Sequence, residues 1–373
     1  MKIIQICEFS SGICGVWSRV YQESRELVKK GHKVYVLSSN VNKSTEEIVS
    51  SYESKDGIEI YRFPSKTGVF DKLLSKNVTY FDFKKRLIDI NPDVVITHLI
   101  HPHSFKALKI CKILNKPCLL VTHAPFNVPR SFPLNIATKI YYSLNKRKIK
   151  SFSKIIAITN WEVPYLLSLG VPKEKIVIIP NSINDYFFKQ KTRAFLGKKV
   201  LFFGRVAPVK DIETLVKAFI KVSKDYHKLN LDITGPVENG YEKIKLLSSQ
   251  KIYFNKSVEG INEKIAVLQD CDIFVLPSKR EGLPISLIDA MSLGKVVISS
   301  KTDGGKEVIT DGINGFLFSI GDYEELSSKI EQVLKIGSKE IKLIQKNSRI
   351  RAKDFESKKV INTLNNLLKS YDK

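Results

Sequence analysis

The sequence predicts an α/β chain built as two doubly wound parallel sheets. Three observations carry this. Short apolar runs of strand length alternate with helix-length segments from Lys2 to the C-terminal region. The clearest unit reads as strand Ile273–Pro277, a polar loop, a helix opened by Pro284 and stopped by Gly294, then strand Val296–Ile298. Finally, 373 residues exceed one ordinary hydrophobic core, so two domains are expected.

Composition narrows the classes. Hydrophobic content of 43% and charged content of 27% are those of a globular protein. No run of about 18 apolar residues is present to span a membrane. The N-terminus runs directly into a strand and lacks a signal-peptide pattern. Cys7, Cys14, Cys111, Cys118 and Cys271 form no Cys-x-x-Cys pair and read as reduced, buried residues, which fits a cytoplasmic protein. The net charge of +23 is uneven: residues 66–154 hold 17 Lys/Arg against 4 Asp/Glu, and no acidic residue occurs between Asp93 and Glu162. Such a stretch attracts anionic partners.

In chain order, Lys2–Ser10 is a strand, Gly12-Ile-Cys-Gly15 a glycine turn, Val16–Lys30 a helix and Lys33–Ser39 a strand. Two glycines are fewer than the full dinucleotide fingerprint, so the turn alone is a weak phosphate signal. Ile58–Phe63 is a strand, and residues 70–90 look helical. Strands 92–98 and 117–123 each end in a histidine, His98 and His123, at the sheet edge where α/β folds hold their sites. His98, His101 and His103 have mixed spacing and few carboxylates nearby, which disfavours a metal. Residues 133–151 form a basic amphipathic segment. Ile136, Ile140 and Leu144, with Tyr141 beside them, make its apolar stripe. Lys139, Lys146, Arg147, Lys148 and Lys150 supply charge. The pattern suits an anionic membrane surface and equally a packed helix with a solvated basic end. Strands Ile155–Thr159 and Ile176–Ile179, with helix Trp161–Leu169 between them, close a first domain over residues 1–180.

The second domain, residues 181–355, opens with a linker, 183–198. Strand 199–203 follows and ends at Gly204, with Arg205 and Lys210 flanking a short loop placed to hold a diphosphate. Strands at 231–235, 251–258 and 273–277 follow, then glycine-containing turns at 303–307 and 311–315. Helices are expected at 322–336, 338–353 and 356–370, the last within a segment, 356–373, that packs back on the first domain. Glu281 and Asp289 lie eight residues apart, up to roughly 12 Å along a helix. That exceeds the about 5–9.5 Å of a glycosidase pair. One carboxylate for each of two parts of a ligand fits better, since carboxylates accept hydrogen bonds from adjacent sugar hydroxyls.

Taken in order, these motifs resemble family 4 glycosyltransferases. Pro277-Ser-x-x-Glu281-Gly-x-Pro284 with Asp289-Ala-Met and Gly294 is similar to the family signature. Gly12 to Gly15, Gly31-His32, Ile179-Pro-Asn181-Ser, Gly204-Arg205 with Lys210, Gly304-Gly305-x-Glu307 and Asp311-Gly-x-Asn-Gly315 resemble its other turns. The resemblance implies a GT-B fold, two Rossmann-like domains facing across a cleft. It also implies retaining transfer of a hexose-type sugar from a nucleotide diphosphate donor, with a UDP-sugar expected. Glu281 would contact the sugar, and Arg205 and Lys210 the departing diphosphate in place of a metal. Gly12, Gly15, Gly204, Gly282, Leu283 and Pro284 would shape the donor site, and His123 would meet the sugar or reacting centre. Asp289 would bind the ribose where the family usually has Glu. Ser182 and Asn184 depart from the family's Gly and Asp, and Asp211 from a common Gly.

The expected acceptor is a lipid-linked saccharide or cell-envelope glycan precursor at the inner face of the cell membrane. No cofactor beyond the donor is implied. A nucleotide-sugar epimerase on the same frame is the alternative, to be separated by whether nucleotide release requires acceptor. A nucleic-acid binder, suggested only by the basic charge, lacks a recognisable motif.

Overall fold

The computed structural model describes residues 1–12, 14–65, 82–126, 134–258 and 260–371. It divides into two compact units, Met1–Asn181 with Val360–Lys373, and Ser182–Lys359.

The first unit is a sheet in the order β3-β4-β2-β1-β5-β6-β7-β8. Its strands are β1 Lys2–Phe9, β2 Lys33–Ser39, β3 Tyr52–Lys55, β4 Ile58–Phe63, β5 Val94–His98, β6 Cys118–Val121, β7 Lys154–Ala157 and β8 Ile176–Ile178. All neighbours pair in parallel except β3 with β4. Strand β3 is absent from the sequence expectation. Its residues Tyr52-Glu-Ser-Lys55 carry no apolar alternation, and three of the four are exposed. Only the Asp56-Gly57 turn, both residues at positive φ, marks this hairpin. The central strands β1, β5 and β6 are buried along nearly their whole length, as parallel strands covered on both faces must be.

Helices α1 Gly15–Lys29, α2 Lys84–Ile90, α3 Pro102–Ile113, α4 Leu134–Lys150 and α5 Val163–Ser168 belong to this unit. The helix expected over 70–90 is seen from Lys84, after a turn at 82–83; residues 70–81 lie outside the described residues. In the C-terminal segment, Val360, Ile361, Leu364 and Leu368 are buried, and Asn365 Oδ1 lies 2.8 Å from His32 Nε2.

The second unit has the order β11-β10-β9-β12-β13-β14, all parallel. Its strands are β9 Lys199–Phe203, β10 Asn230–Thr234, β11 Ile252–Asn255, β12 Ile273–Leu276, β13 Val296–Ser300 and β14 Phe316–Phe318. Its helices are α6 Ile212–Val222, α7 Ile261–Gln269, α8 Ile285–Ser292, α9 Asp303–Val308, α10 Tyr323–Lys335 and α11 Ser338–Ala352; α12, Ser357–Lys369, straddles the boundary. Pro284 is the N-cap residue of α8, not its first helical residue. Gly294 adopts φ +70 beyond the C-cap, the left-handed stop expected of it.

One buried ion pair anchors α1. Arg19 Nε donates to Glu23 Oε1 at 2.7 Å, and Arg19 Nη1 donates to Ile179 O and Asn181 Oδ1 at 3.1 and 2.9 Å. Both side chains are almost wholly buried. Burial raises the Glu23 carboxyl pKa, and Arg19 opposes that rise. A carboxyl raised in the folded state contributes stability that is present at acid pH and lost as pH rises through the folded value. Arg19→Met removes the opposing cation. It is expected to cost about 3–5 kcal/mol near neutral pH, and less at pH 5, since a carboxyl pKa raised by burial lets protonation relieve the stranded charge as pH falls. Denaturant unfolding of both proteins at the two pH values measures this. An equal cost at both would show that Glu23 is not the source.

Candidate active site

In each unit the chain leaves its first strand toward one side and later resumes on the other. Crevices at such switch points lie beyond the carboxyl ends of the strands. In the second unit the switch falls between β9 and β12. The loop after β9 carries Gly204, Arg205 and Lys210; the loop after β12 carries Ser278 to Pro284.

These two loops are joined. Lys279 N donates to Val209 O at 2.9 Å. Lys210 Nζ sits 2.6 Å from Glu281 Oε1, which also accepts from Ser278 Oγ at 2.5 Å. The expected diphosphate lysine and the expected sugar glutamate are therefore one mostly buried ion pair. Asp211 holds the preceding turn at φ +52, accepts from Thr214 Oγ1 at 2.8 Å, and lies 3.4 Å from Lys279 Nζ. A left-handed residue is what Gly would supply here, and Asp tolerates it. On the far side, Gly304 N donates to Glu281 O at 3.1 Å. A Cβ at Gly304 would stand 2.7 Å from Gly282 O and 2.8 Å from Glu281 O. Helix α9 thus seats the Glu281 loop through a glycine. Leu283 is buried, and Pro284 leads into α8, which no side chain caps. The first-turn N–H groups of such a helix face an incoming anion.

Two expected residues are placed differently. Arg205 is 57% exposed in its side chain and pairs with Glu238 rather than with the Lys210–Glu281 cluster. Asp289 is buried and lies 2.5 Å from Lys264 Nζ, on α7. Burial raises the Asp289 carboxyl pKa, with Lys264 opposing. Lys264 Nζ also stands 5.5 and 5.8 Å from the rings of Phe187 and Phe203. Lys264 carries no sequence signal, because nothing in its local pattern marks a partner 25 residues away. Gly204, at φ +150, packs against Gly235, where a Cβ would approach Gly204 O to 2.0 Å. A cavity of about 310 Å³ opens by the ends of β10 and β11, lined by Gly235, Val237, Lys245, Phe254, Asn255 and Ser257 among others.

In the first unit the switch falls between β1 and β5. Gly12 adopts φ +81, and a Cβ there would meet Asn42 Oδ1 at 2.5 Å and Ser44 N at 2.8 Å. Gly15 is different: it opens α1 and a Cβ on it would meet nothing within 4 Å. His98 Nδ1 and His123 Nε2 are 2.8 Å apart, and His98 Nε2 is 2.7 Å from Gln5 Oε1. His103 Nε2 meets His98 O at 3.1 Å, and His101 Nδ1 lies 3.2 Å from Glu8 Oε1. His98 and His123 thus pair with each other, His103 with the backbone of His98 and His101 with Glu8. Among the described residues, no group of three or more His, Cys, Asp or Glu side chains could hold a metal ion.

His123 and Ala124 both adopt left-handed backbone angles, φ +59 and +54. Glu162 holds them there. Its carboxylate accepts from Thr122 Oγ1 and Ala124 N on one oxygen, and from Ile158 N, Thr159 N and Thr159 Oγ1 on the other. Burial raises its pKa and these donors work against the rise. The sequence carried a signal for this residue, since Thr159-Asn-Trp-Glu162 is a capping-box pattern.

Helix α4 presents Ile136, Ile140 and Leu144 outward, 44%, 52% and 77% exposed. Lys139, Lys146 and Arg147 are exposed as well. Tyr141 instead packs on Phe105, and Lys148 Nζ lies over the Phe105 ring. Lys150 is half-buried, its Nζ close to Gly170. Among the described residues, no helix is long and apolar enough to cross a membrane.

Comparison with known proteins agrees with this geometry. Residues 13–186 match the model described as Glycosyltransferase Family 4, and residues 186–350 the model described as Glycosyl transferases group 1. The chain is 26% identical over 294 residues to N,N'-diacetylbacillosaminyl-diphospho-undecaprenol alpha-1,3-N-acetylgalactosaminyltransferase of Campylobacter jejuni, covering 74% of this chain and 76% of that one. A Rickettsia africae glycosyltransferase structure superposes with TM-score 0.77 at 21% identity, covering 100% and 98% of the two chains. The Anabaena protein HepE, in complex with UDP and glucose, gives TM-score 0.74 at 16% identity, covering 99% and 100%. With its two switch-point loops, its paired parallel-sheet units and both family models matched in sequence order, the chain belongs to the family 4 glycosyltransferases and has the GT-B fold.

Proposed function

We propose that this glycosyltransferase moves a hexose-type sugar from a UDP-sugar to a hydroxyl of a lipid-linked saccharide at an anionic membrane surface, with retention and without a metal ion. The observation that carries the reading is the Lys210–Glu281 pair beside the uncapped start of α8. A nucleotide sugar has an anion for the lysine and hydroxyls for the glutamate. Relatives support the finer points: the Campylobacter enzyme is named for a diphospho-undecaprenol substrate, and the Anabaena structure contains UDP and glucose.

In this reading the bond between the anomeric carbon and the diphosphate oxygen breaks as the acceptor oxygen bonds to the same face of that carbon. The acceptor's proton passes to the leaving diphosphate. Lys210 and the first-turn N–H groups of α8 stabilise the charge that develops there, the kind of donor worth about 2.7–4 kcal/mol each when aimed at a transition state. Arg205 joins them by exchanging Glu238 for phosphate. The base occupies the cavity beside Gly235 and Phe254, and the Asp289–Lys264 pair takes the ribose contact expected of Asp289. His123 accepts or donates a hydrogen bond at the transferred sugar. The outward stripe and cations of α4 rest on the cytoplasmic face of the membrane, where a polyprenyl-type acceptor is presented.

Three outcomes test this. Glu281→Ala should lower transfer by ~10²-fold or more while titration calorimetry shows UDP binding within a few-fold; retained transfer removes Glu281 from its role. Gly304→Ala should displace the Glu281 loop and lower turnover by ~10-fold or more. An unchanged rate would show that the α9 contact does not set the loop. Sedimentation with vesicles should show binding to phosphatidylglycerol membranes that weakens with salt and with serine at Ile136, Ile140 and Leu144. Equal binding to neutral vesicles at every ionic strength would count against the membrane contact.

A further inference from the structure

The residues behind His123 form a chain of hydrogen bonds with a direction. Ser24, on α1, meets Gln5 Nε2 at 3.2 Å. Gln5, inside β1, turns its Oε1 toward His98 Nε2 at 2.7 Å. His98 Nδ1 then meets His123 Nε2 at 2.8 Å. Gln5, Ser24 and His98 are fully buried, whereas His123, at the end of the chain, is partly exposed. Ring position and amide orientation together determine where each proton sits.

The logic starts at the amide. A carbonyl oxygen only accepts, so His98 Nε2 must carry hydrogen. His98 is fully buried beside His123, with Arg19 and His103 also acting on it, and burial with these three neighbours holds its pKa well below 6.5. It is neutral, and a neutral imidazole with hydrogen on Nε2 has a bare Nδ1. That bare nitrogen accepts from His123, so His123 Nε2 carries hydrogen. Burial and Arg19 likewise keep His123 neutral. Its remaining nitrogen, Nδ1, is therefore unprotonated, and no protein group among the described residues bonds to it.

We propose that Gln5 and His98 are positioning residues that fix the ring tautomer of His123, so that it offers Nδ1 as a hydrogen-bond acceptor to a ligand hydroxyl. Gln5 and His98 act only through His123. The ligand chemistry is specific: a sugar hydroxyl donates to this nitrogen, whereas a phosphate oxygen or a carbonyl, which can only accept, is turned away. Glu162 fixes where the His123 backbone stands, and the Gln5–His98 chain fixes what its ring presents. The hydroxyl as ligand rests on the proposed glycosyl transfer, but the tautomer does not.

The test reads the tautomer directly. The full-length protein, labelled with ¹⁵N-histidine, has six histidines, and the His123→Gln variant identifies the His123 signals by their loss. At neutral pH the wild type should show a pyridine-like Nδ1 and a pyrrole-like Nε2 on both His98 and His123. Gln5→Leu removes the acceptor that sets the chain. It should move His98 and His123 toward mixed tautomers, with kcat for transfer lowered by ~10-fold or more, in the range a positioned proton-transfer or hydrogen-bonding group supplies. UDP affinity should stay within a few-fold, and an unchanged circular dichroism spectrum and cooperative thermal unfolding show that the variant is folded. A pyrrole-like Nδ1 on wild-type His123 overturns the proposal, and so does a Gln5→Leu protein whose histidine signals do not change. If the tautomers are as stated but His123→Gln transfers sugar at the wild-type rate, the chain stands and the role given to His123 in transfer falls.

Discussion

A parallel sheet places the carboxyl ends of all its strands along one edge, and that constraint organises both units. Loops that are distant in sequence arrive together because the strands preceding them are neighbours. Strands β9 and β12 bring Lys210 and Glu281, 71 residues apart, to 2.6 Å. Strands β5 and β6 bring His98 and His123 to 2.8 Å, and β1 places Gln5 beneath them. Each crevice is then shaped by backbone that admits no side chain. Gly12 fits against the loop at Asn42, and Gly304 fits beneath the carbonyls of Glu281 and Gly282.

Much of this was legible in the sequence, and the reasons differ by residue. Strand periodicity worked for buried strands such as β2 and β4, whose limits match the expected Lys33–Ser39 and Ile58–Phe63. It failed for β3, an exposed edge strand whose side chains have no core to pattern against. The signature loop marked Glu281, and the loop after Gly204 marked Lys210, as charged groups near a ligand, but neither showed that each is the other's partner. That fact depends on strand order, which spacing does not encode. Asp289 and Arg205 show the same limit. Both types were plausible ligand groups, and both are paired, one internally with Lys264 and one at the surface with Glu238.

Buried polar groups account for most of what the sequence did not show. Glu162 carries five donors from two stretches of chain and keeps two consecutive non-glycine residues left-handed. Such conformations cost about 1–3 kcal/mol each and persist only where the surroundings over-determine them. The carboxylate supplies that over-determination. In the same unit, Arg19 ties α1 to the chain leaving β8 and also acts on the charge state of both histidines. One guanidinium therefore serves packing and helps keep both imidazoles neutral.

The pairing of Lys210 with Glu281 also bears on which anions the site would favour. A bare inorganic anion that drew the lysine away would strand a carboxylate whose side chain is only 10% exposed, and stranding a buried charge is strongly unfavourable. A molecule that brings an anion for one partner and hydroxyls for the other leaves neither stranded. On the proposed reading, the cluster would favour a compound that joins both chemistries over phosphate and simple salts. In a chain with 23 more cationic than acidic side chains, that local neutrality would let such selectivity survive the general attraction for anions.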